Sequence, residues 1–326
     1  MSIAGVPLGA SSSFDVVTIG SATLDVFFKS DSFEIAEHNG KTVLCQLYDQ
    51  KIDVEETALA SGGAATNTAV GFARQGFSVA CIAEIGQDIA SEAILRELER
   101  EGVDWRLVVR EPEEVTGVSA LLISKDGART ALVHRGASRM LQVEDIQWES
   151  FETKHIHLSS VGSTGMIERV MQFTRDHACS MSWSPGNWEI EQVVKGKVQL
   201  DWPERSLLIM NREEFCRFTK LDYMNDQLWM SDWQYPGPRL VIVTDGARGG
   251  VVIDNEHATR FRFEAKLVEV VQETGAGDSF ATGFISAWMR GESLEACVDL
   301  GKENAANVVS HMGAKNGLLR YFPSTP

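Results

Sequence analysis

The chain has 326 residues, 44% of them hydrophobic and 23% charged, an ordinary globular composition in a length beyond one minimal core. Its formal net charge of −16 argues against nucleic-acid and anionic-membrane partners, which need a basic surface. Its five cysteines are scattered, with no C-x-x-C pair, which argues against zinc and disulfide frameworks.

The opening "MSIAGVPLGASSSFD" lacks the basic start and apolar core of a signal peptide. It reads as a short disordered leader on a cytoplasmic protein. No apolar run approaches the roughly 18 residues of a membrane span. "FDVVTIG" (Phe14 to Gly20) is a buried strand ending in glycine. Residues 25–60 alternate more and carry more charge, as exposed strands and loops do. "GGAATNTAVGFARQG" then predicts a helix with Ala65, Ala69, Phe72 and Ala73 on one face, stopping at Gly76. "FSVACIAEIG" is a strand and "ASEAILRELEREG" a helix ending at Gly102. "GVSALLIS" and "RTALVHRG" flank Lys125-Asp126-Gly127, a hairpin signal.

From Lys154 strands and helices alternate: "HIHLSS" before a helix near Met166 to His177, "CSMSWSP" before a short helix, "SLLIMN" before "REEFCRF". "RLVIVTDG" is followed by the hairpin-like "GGVVIDNEHATRFRF", and two helices close the chain, Asp278 to Arg290 and Leu294 to His311. This alternation predicts a mostly parallel sheet covered on both faces, with binding sites at the carboxyl ends of its strands. The excursions near 25–60 and 106–136 do not fit that layering and are expected to pair as a small second sheet.

In "TGAGD" Gly275 and Gly277 flank Ala276, so no bulky Cβ shields the main chain. The helix that follows adds its unpaired first-turn N–H groups and the positive end of its dipole, a place for an anion or for developing negative charge. Phe280, Phe284 and Trp288 at four-residue spacing anchor it in the core. Asp278 at its mouth is either a helix cap or a base that takes a proton from an attacking hydroxyl. No G-x-x-x-x-G-K-[ST] phosphate loop is present; Gly40-Lys41-Thr42 lacks the upstream glycine.

These segments resemble the ribokinase-like (PfkB) family of sugar and nucleoside kinases. "QETGAGDSF" (Gln272 to Phe280) is similar to the family's D-T-T-G-A-G-D-x-F signature, and "SGGAATNTAVGFARQG" to its N-terminal glycine-glycine signature. "TIGSATLDVF", "EIGQD", "NREE" and "VTDGARGG" resemble the smaller motifs in the family's order, and the matches span residues 15 to 313. The resemblance implies one three-layer α/β/α domain over residues 1–326, with the two excursions as a small β-sheet lid. It implies ATP-dependent phosphorylation of a hydroxyl with Mg2+.

By the same resemblance Asp278 is the general base, and Gly275, Ala276 and Gly277 supply N–H groups to the transferring phosphoryl. Asp25, Gly62, Gly63 and Asn67 bind the acceptor, and Arg135 falls where several members place a substrate contact. Asn211 and Glu214 hold magnesium through water. Thr244, Gly246 and Gly249 line the nucleotide, with Arg248 as a candidate phosphate contact, and Asn304 faces the adenine pocket. Gln272 stands where the signature has Asp, which weakens the expectation of an activating monovalent cation. Ala64 stands where ribokinases have Lys, and no Lys/Arg cluster marks a sugar-phosphate pocket. The expected acceptor is therefore an unphosphorylated sugar, sugar acid or polyol, with a nucleoside as the alternative and a silent binding relative as a further one. Lid sheets of the family often pair across a dimer. Trp183 could stack on a ring, though core packing is the commoner fate of such a residue. His155 and His157 share a strand face without a third metal ligand nearby, so they read as structural.

Overall fold

The computed structural model describes residues 12–125, 129–224, 235 and 237–321. The N-terminal leader and the Asp126-Gly127 turn lie outside them. In chain order the elements begin β1 (Ser12–Ile19), β2 (Thr23–Lys29), β3 (Glu34–His38), β4 (Lys41–Cys45), β5 (Glu56–Gly62), α1 (Ala64–Arg74), β6 (Val79–Ile82), β7 (Glu84–Ile85) and α2 (Ile89–Arg100). Then come β8 (Val109–Arg110), β9 (Gly117–Ile123), β10 (Arg129–His134), β11 (Phe151–Leu158), α3 (Thr164–Asp176), β12 (Ser180–Trp183), α4 (Asn187–Val194), β13 (Ser206–Asn211) and α5 (Arg212–Thr219). The last are β14 (Leu240–Thr244), β15 (Gly250–Asp254), β16 (Thr259–Phe263), α6 (Ala276–Met289) and α7 (Leu294–Val309).

The main sheet has the order β16-β15-β14-β13-β12-β11-β1-β6. It is parallel from β6 to β14, and the β15–β16 hairpin closes one edge antiparallel. Its strands are apolar on both faces, so successive residues feed opposite cores. Val16, Leu207, Ile209 and Ile242 face one core with Phe72 of α1, Leu95 of α2, Phe284 of α6 and Val298 of α7. Val17, Leu208, Met210 and Val241 face the other with Phe173 of α3, Ile190 of α4 and Phe215 of α5. Each fully buried side chain of this size contributes about 1.5–3 kcal/mol. The expected three-layer α/β/α sandwich is therefore what forms.

β1 lies between β6 and β11. The chain leaves β1 toward one edge and returns on its other side, so the direction of winding reverses there. Crevices form at the carboxyl ends of strands at such a switch point.

The two excursions do pair: β10, β9, β2 and β5 form a separate four-stranded sheet, with β9 and β10 as the expected hairpin. On one face Phe27, Leu121 and Ile123 bury against Ala58, Ala60 and Met312 of the C-terminal loop. On the other Leu59 and Leu132 are 69% and 60% exposed. β3 and β4 form an exposed hairpin of their own.

Candidate active site

α1 and α6 bring the two signatures together. A Cβ on Gly71 would lie 2.7 Å from Thr282 Oγ1, so only glycine permits this helix crossing. One turn earlier on each helix, Asn67 Nδ2 donates to Asp278 Oδ2 at 2.8 Å. Equal offsets on both helices mean that they run in the same direction with their N-termini side by side. Both positive dipole ends therefore point at one place.

Gly275 caps α6 with φ 81°, a left-handed conformation that glycine adopts without strain. A Cβ there would also strike Ala314 at 2.7 Å. Beyond it the N–H groups of Gly277 and Asp278 have no partner among the described residues, and a Cβ on Gly277 would meet nothing within 4 Å. The turn is an open cradle of unpaired donors, the fit an anionic phosphoryl group requires.

Asp278 is partly buried. Burial pushes its carboxyl up to about 6 and the Glu214 charge adds to that, while the Asn67 hydrogen bond and the Lys315 charge oppose it. A carboxylate with this value is poised to accept a proton near neutrality.

Asp25 is 7% exposed and lies within β2, past the end of β1. Its carboxylate accepts from Thr23 Oγ1 at 3.1 Å and from the Ser119 side chain, and burial raises its pKa. It rests on Gly62, where a Cβ would come within 2.0 Å of Asp25 Oδ2. Gly63, at φ 87°, begins α1, and its absent side chain gives room to the Ser21 carbonyl. Asn67 is 6% exposed, and its Oδ1 has no partner. Asp25, Gly62, Gly63, Asn67 and Asp278 thus form one cluster between the small sheet and the main one. Arg135 is exposed just after β10, beside the small sheet.

Asn211 and Thr244 are paired residues at the carboxyl ends of β13 and β14. Asn211 caps α5: its Oδ1 accepts from Glu214 N at 2.9 Å, and Glu214 Oε2 accepts from Asn211 N at 3.0 Å. Glu214 is partly buried with its pKa raised by desolvation, and its charge is felt at Asp278. An acidic group held this near the anion cradle fits a hydrated divalent ion. Gly246 and Gly249 adopt φ 55° and 86° in the turn after Thr244, and a Cβ on Gly249 would overlap the Phe263 carbonyl.

Two expectations change, and the expected core packing of Trp183 holds. Asn304 does not face a pocket: it is fully buried, its Nδ2 donates to Ser279 O and Thr282 Oγ1 at 2.7 and 3.1 Å, and its Oδ1 accepts from Leu319 N. It binds α7, α6 and the C-terminal segment together. Arg248 is engaged by both Asp245 oxygens and by the Tyr223 hydroxyl, so it is not poised for a phosphate. Trp183 is fully buried, with the rings of Trp202 and Phe218 at 5.9 and 6.1 Å, which is core packing. Trp183→Ala is expected to cost about 3–5 kcal/mol of stability and leave the acceptor KM unchanged, as denaturant melts and steady-state kinetics will show.

His155 is bonded to Ser180 and Ser182 at 2.8 Å and His157 to Ser182 at 2.7 Å, and burial drives both well below the usual imidazole range. They are neutral, structural residues. Sequence reasoning missed Ser119, which holds Asp25, and Lys315, buried at 3% exposure. The only local signal for Lys315 is a lysine two residues past Gly313 in the loop after α7.

A carboxylate beside a helix N-terminus with unpaired N–H groups, at the carboxyl ends of a parallel sheet, is a setting that suits a phosphotransferase acting on an alcohol group. The chain belongs to the pfkB family of carbohydrate kinases, whose model matches residues 13–320. It is an ATP-dependent kinase whose acceptor is a sugar or a nucleoside, and such kinases use ATP with a divalent metal. It is 26% identical over 254 residues to an uncharacterized sugar kinase of Archaeoglobus fulgidus, covering 77% of this chain and 99% of that one. It is 25% identical over 305 residues to a nucleoside kinase of Methanocaldococcus jannaschii, covering 93% of each. The structure of Arabidopsis thaliana ribokinase complexed with ribose and ATP superposes with a TM-score of 0.72 at 19% identity, over 93% of this chain and 95% of that one. No helix among the described residues is long and apolar enough to cross a membrane.

Proposed function

We propose that this kinase transfers the γ-phosphoryl group of ATP to a hydroxyl of a small unphosphorylated carbohydrate, with Asp278 as the general base. The observation that carries the reading is the 2.8 Å bond from Asn67 to Asp278, which joins residues 211 apart in sequence. It leaves the unpartnered Asn67 Oδ1 and the buried Asp25 carboxylate to grip hydroxyls beside the base. A carboxylate and a carboxamide oxygen are acceptors that suit a polyhydroxyl ligand. Gly62 and Gly63 let the ligand approach the main chain, and Arg135 contacts it from the side of the small sheet, which acts as a lid.

The N–H groups of Gly275 and Gly277 stabilise charge on the transferring phosphoryl, whereas that of Ala276 donates to the Glu273 carbonyl at 3.3 Å, and Thr244, Gly246 and Gly249 line the nucleotide. Asn211 and Glu214 hold Mg2+ through water. When bound, the ion neutralises charge on the phosphate oxygens. Gln272 is 2% exposed with both side-chain polar atoms unpartnered, as is Thr274 Oγ1. It offers an amide where the family pattern has a carboxylate, so it brings no negative charge for a monovalent cation. The outward face of the small sheet, with Leu59 and Leu132 exposed, is the surface through which a homodimer would form.

The alternative acceptor is a nucleoside, favoured by the nucleoside, adenosine and cytidine kinases among the relatives. An ADP-release screen over sugars, sugar acids, polyols and nucleosides separates the two. Turnover with nucleosides alone would replace the carbohydrate reading, and failure of all acceptors together with failure to bind nucleotide would favour a silent relative. The raised Asp278 pKa gives a further expectation. Activity needs the deprotonated base, so kcat/KM is expected to fall about tenfold per pH unit below about 6. A profile flat to pH 5 would count against Asp278.

A further inference from the structure

We propose that Lys315 is a built-in cation of the active site: a positioning residue that clamps the floor under the acceptor and keeps Asp25 and Asp278 in their charged forms. The inference rests on the reading of Asp278 as the base and adds a residue that neither signature contains.

The geometry is that of a site built around an ammonium group. Lys315 lies in the loop after α7 at 3% exposure. Its Nζ donates to the Ser61 carbonyl, to Ser61 Oγ and, at 2.9 Å, to Thr66 Oγ1. Thr66 Oγ1 already donates to the Gly62 carbonyl at 2.8 Å, so it can only accept from the lysine. Three acceptors match the three N–H groups of the protonated form, whereas a neutral amine has two.

These partners are the footing of the acceptor site. Ser61 and Thr66 bracket Gly62 and Gly63, and Gly62 is the surface on which the Asp25 carboxylate rests. Ala314, the preceding residue, packs on Gly275 so closely that a Cβ there would lie 2.7 Å from its own. Two adjacent residues therefore hold both glycine turns. The loop is itself fastened from α1, where Arg74 Nη1 donates to the Lys315 carbonyl at 2.8 Å.

The charged and titratable groups facing the ammonium come from four elements: Glu97 of α2, Asp25 of β2, Cys81 of β6 and Asp278 of α6. Glu97 Oε1 lies 4.0 Å away, and its other oxygen accepts from Ser61 N at 2.7 Å. Cys81 is pushed up to about 12 and stays a neutral thiol. The lysine charge favours the ionised forms of both Asp25 and Asp278 against the cost of their burial. Burial lowers Lys315 itself to about 8, so its charge and that of the base coexist between about 6 and about 8.

The test is the pH dependence of kcat and kcat/KM for the best acceptor, in wild type, Lys315→Met, Glu97→Gln and Asp278→Asn. Wild type is expected to give a bell with limbs near 6 and 8. Lys315→Met, shown to be folded by thermal stabilisation with Mg·ADP, is expected to raise the acid limb by about one unit, lose the basic limb and turn over about 10- to 100-fold more slowly at pH 7. Glu97→Gln removes the negative charge beyond the ammonium, so its basic limb is expected to move to lower pH. A folded Lys315→Met with both limbs where wild type has them would overturn the proposal, since a purely structural lysine would change only stability. Should Lys315→Met not fold, a Glu97→Gln basic limb that stays in place overturns it equally. Turnover surviving in Asp278→Asn would instead remove the general-base reading, whatever the lysine variants do.

Discussion

Asp278→Asn is expected to lower kcat by at least about 10²-fold while Mg·ADP affinity stays nearly unchanged. Asparagine keeps the shape and can still meet Asn67, whose amide flips to present its oxygen, but it cannot take a proton from the acceptor. Nucleotide binding persists because the unpaired N–H groups at the start of α6 belong to the main chain.

The same substitution is expected to stabilise the protein at alkaline pH. A carboxyl whose folded pKa is raised to about 6 contributes its relative stability below the unfolded value near 4. That contribution is lost as pH rises through 6. Removing the ionisable group is then worth about 2 kcal/mol at pH 8 and almost nothing at pH 3.5, after allowing for partial exposure. Single-turnover kinetics, ADP titration and thermal melts at the two pH values check all three statements. Unimpaired turnover would leave Asp278 only as the acceptor of the Asn67 hydrogen bond between α1 and α6.

Gly62→Ala is expected to raise the acceptor KM by about 10²-fold and leave the KM for ATP within about twofold. Gly62 is not at positive φ, so the backbone accepts alanine without conformational strain. The cost is steric: the new methyl would sit 2.0 Å from Asp25 Oδ2. Asp25 has neighbours on both sides, Thr23 and Ser119, and must leave the position from which it grips a hydroxyl. Steady-state kinetics with each substrate varied in turn separates this from a general loss of fold. Equal rises in both KM values would mean that Gly62 serves only the turn.

Much of the architecture is legible in the sequence. The parallel strands read as apolar runs because both faces are buried, and "TGAGDSF" could be placed at a helix start from its glycines and its Phe280–Phe284 spacing. Pairing of the two excursions followed from their failure to fit the layering. One local signal went unread. Asn39 and Gly40, both at positive φ, form the two-residue turn of the β3–β4 hairpin, a standard Asn-Gly turn.

The misreadings share a cause. Asn304 is an ordinary letter in a linear pattern, and whether a polar side chain meets a ligand or its neighbours depends on what packs over it. Arg248 was free in sequence and is spent in the structure, because Asp245 and Tyr223 reach it first.

By itself the sequence determined the class of fold and the glycine turns, and it marked Asp278 as a cap or a base, since these depend on local backbone freedom and on residue types at short spacing. Tertiary structure decided which groups are charged together. The Asn67–Asp278 bond requires α1 and α6 to cross at Gly71, and Lys315 reaches Ser61 only because the last loop folds under the first signature. Burial and neighbouring charge set the pKa values there, and both are properties of residues brought together across more than 200 positions of chain.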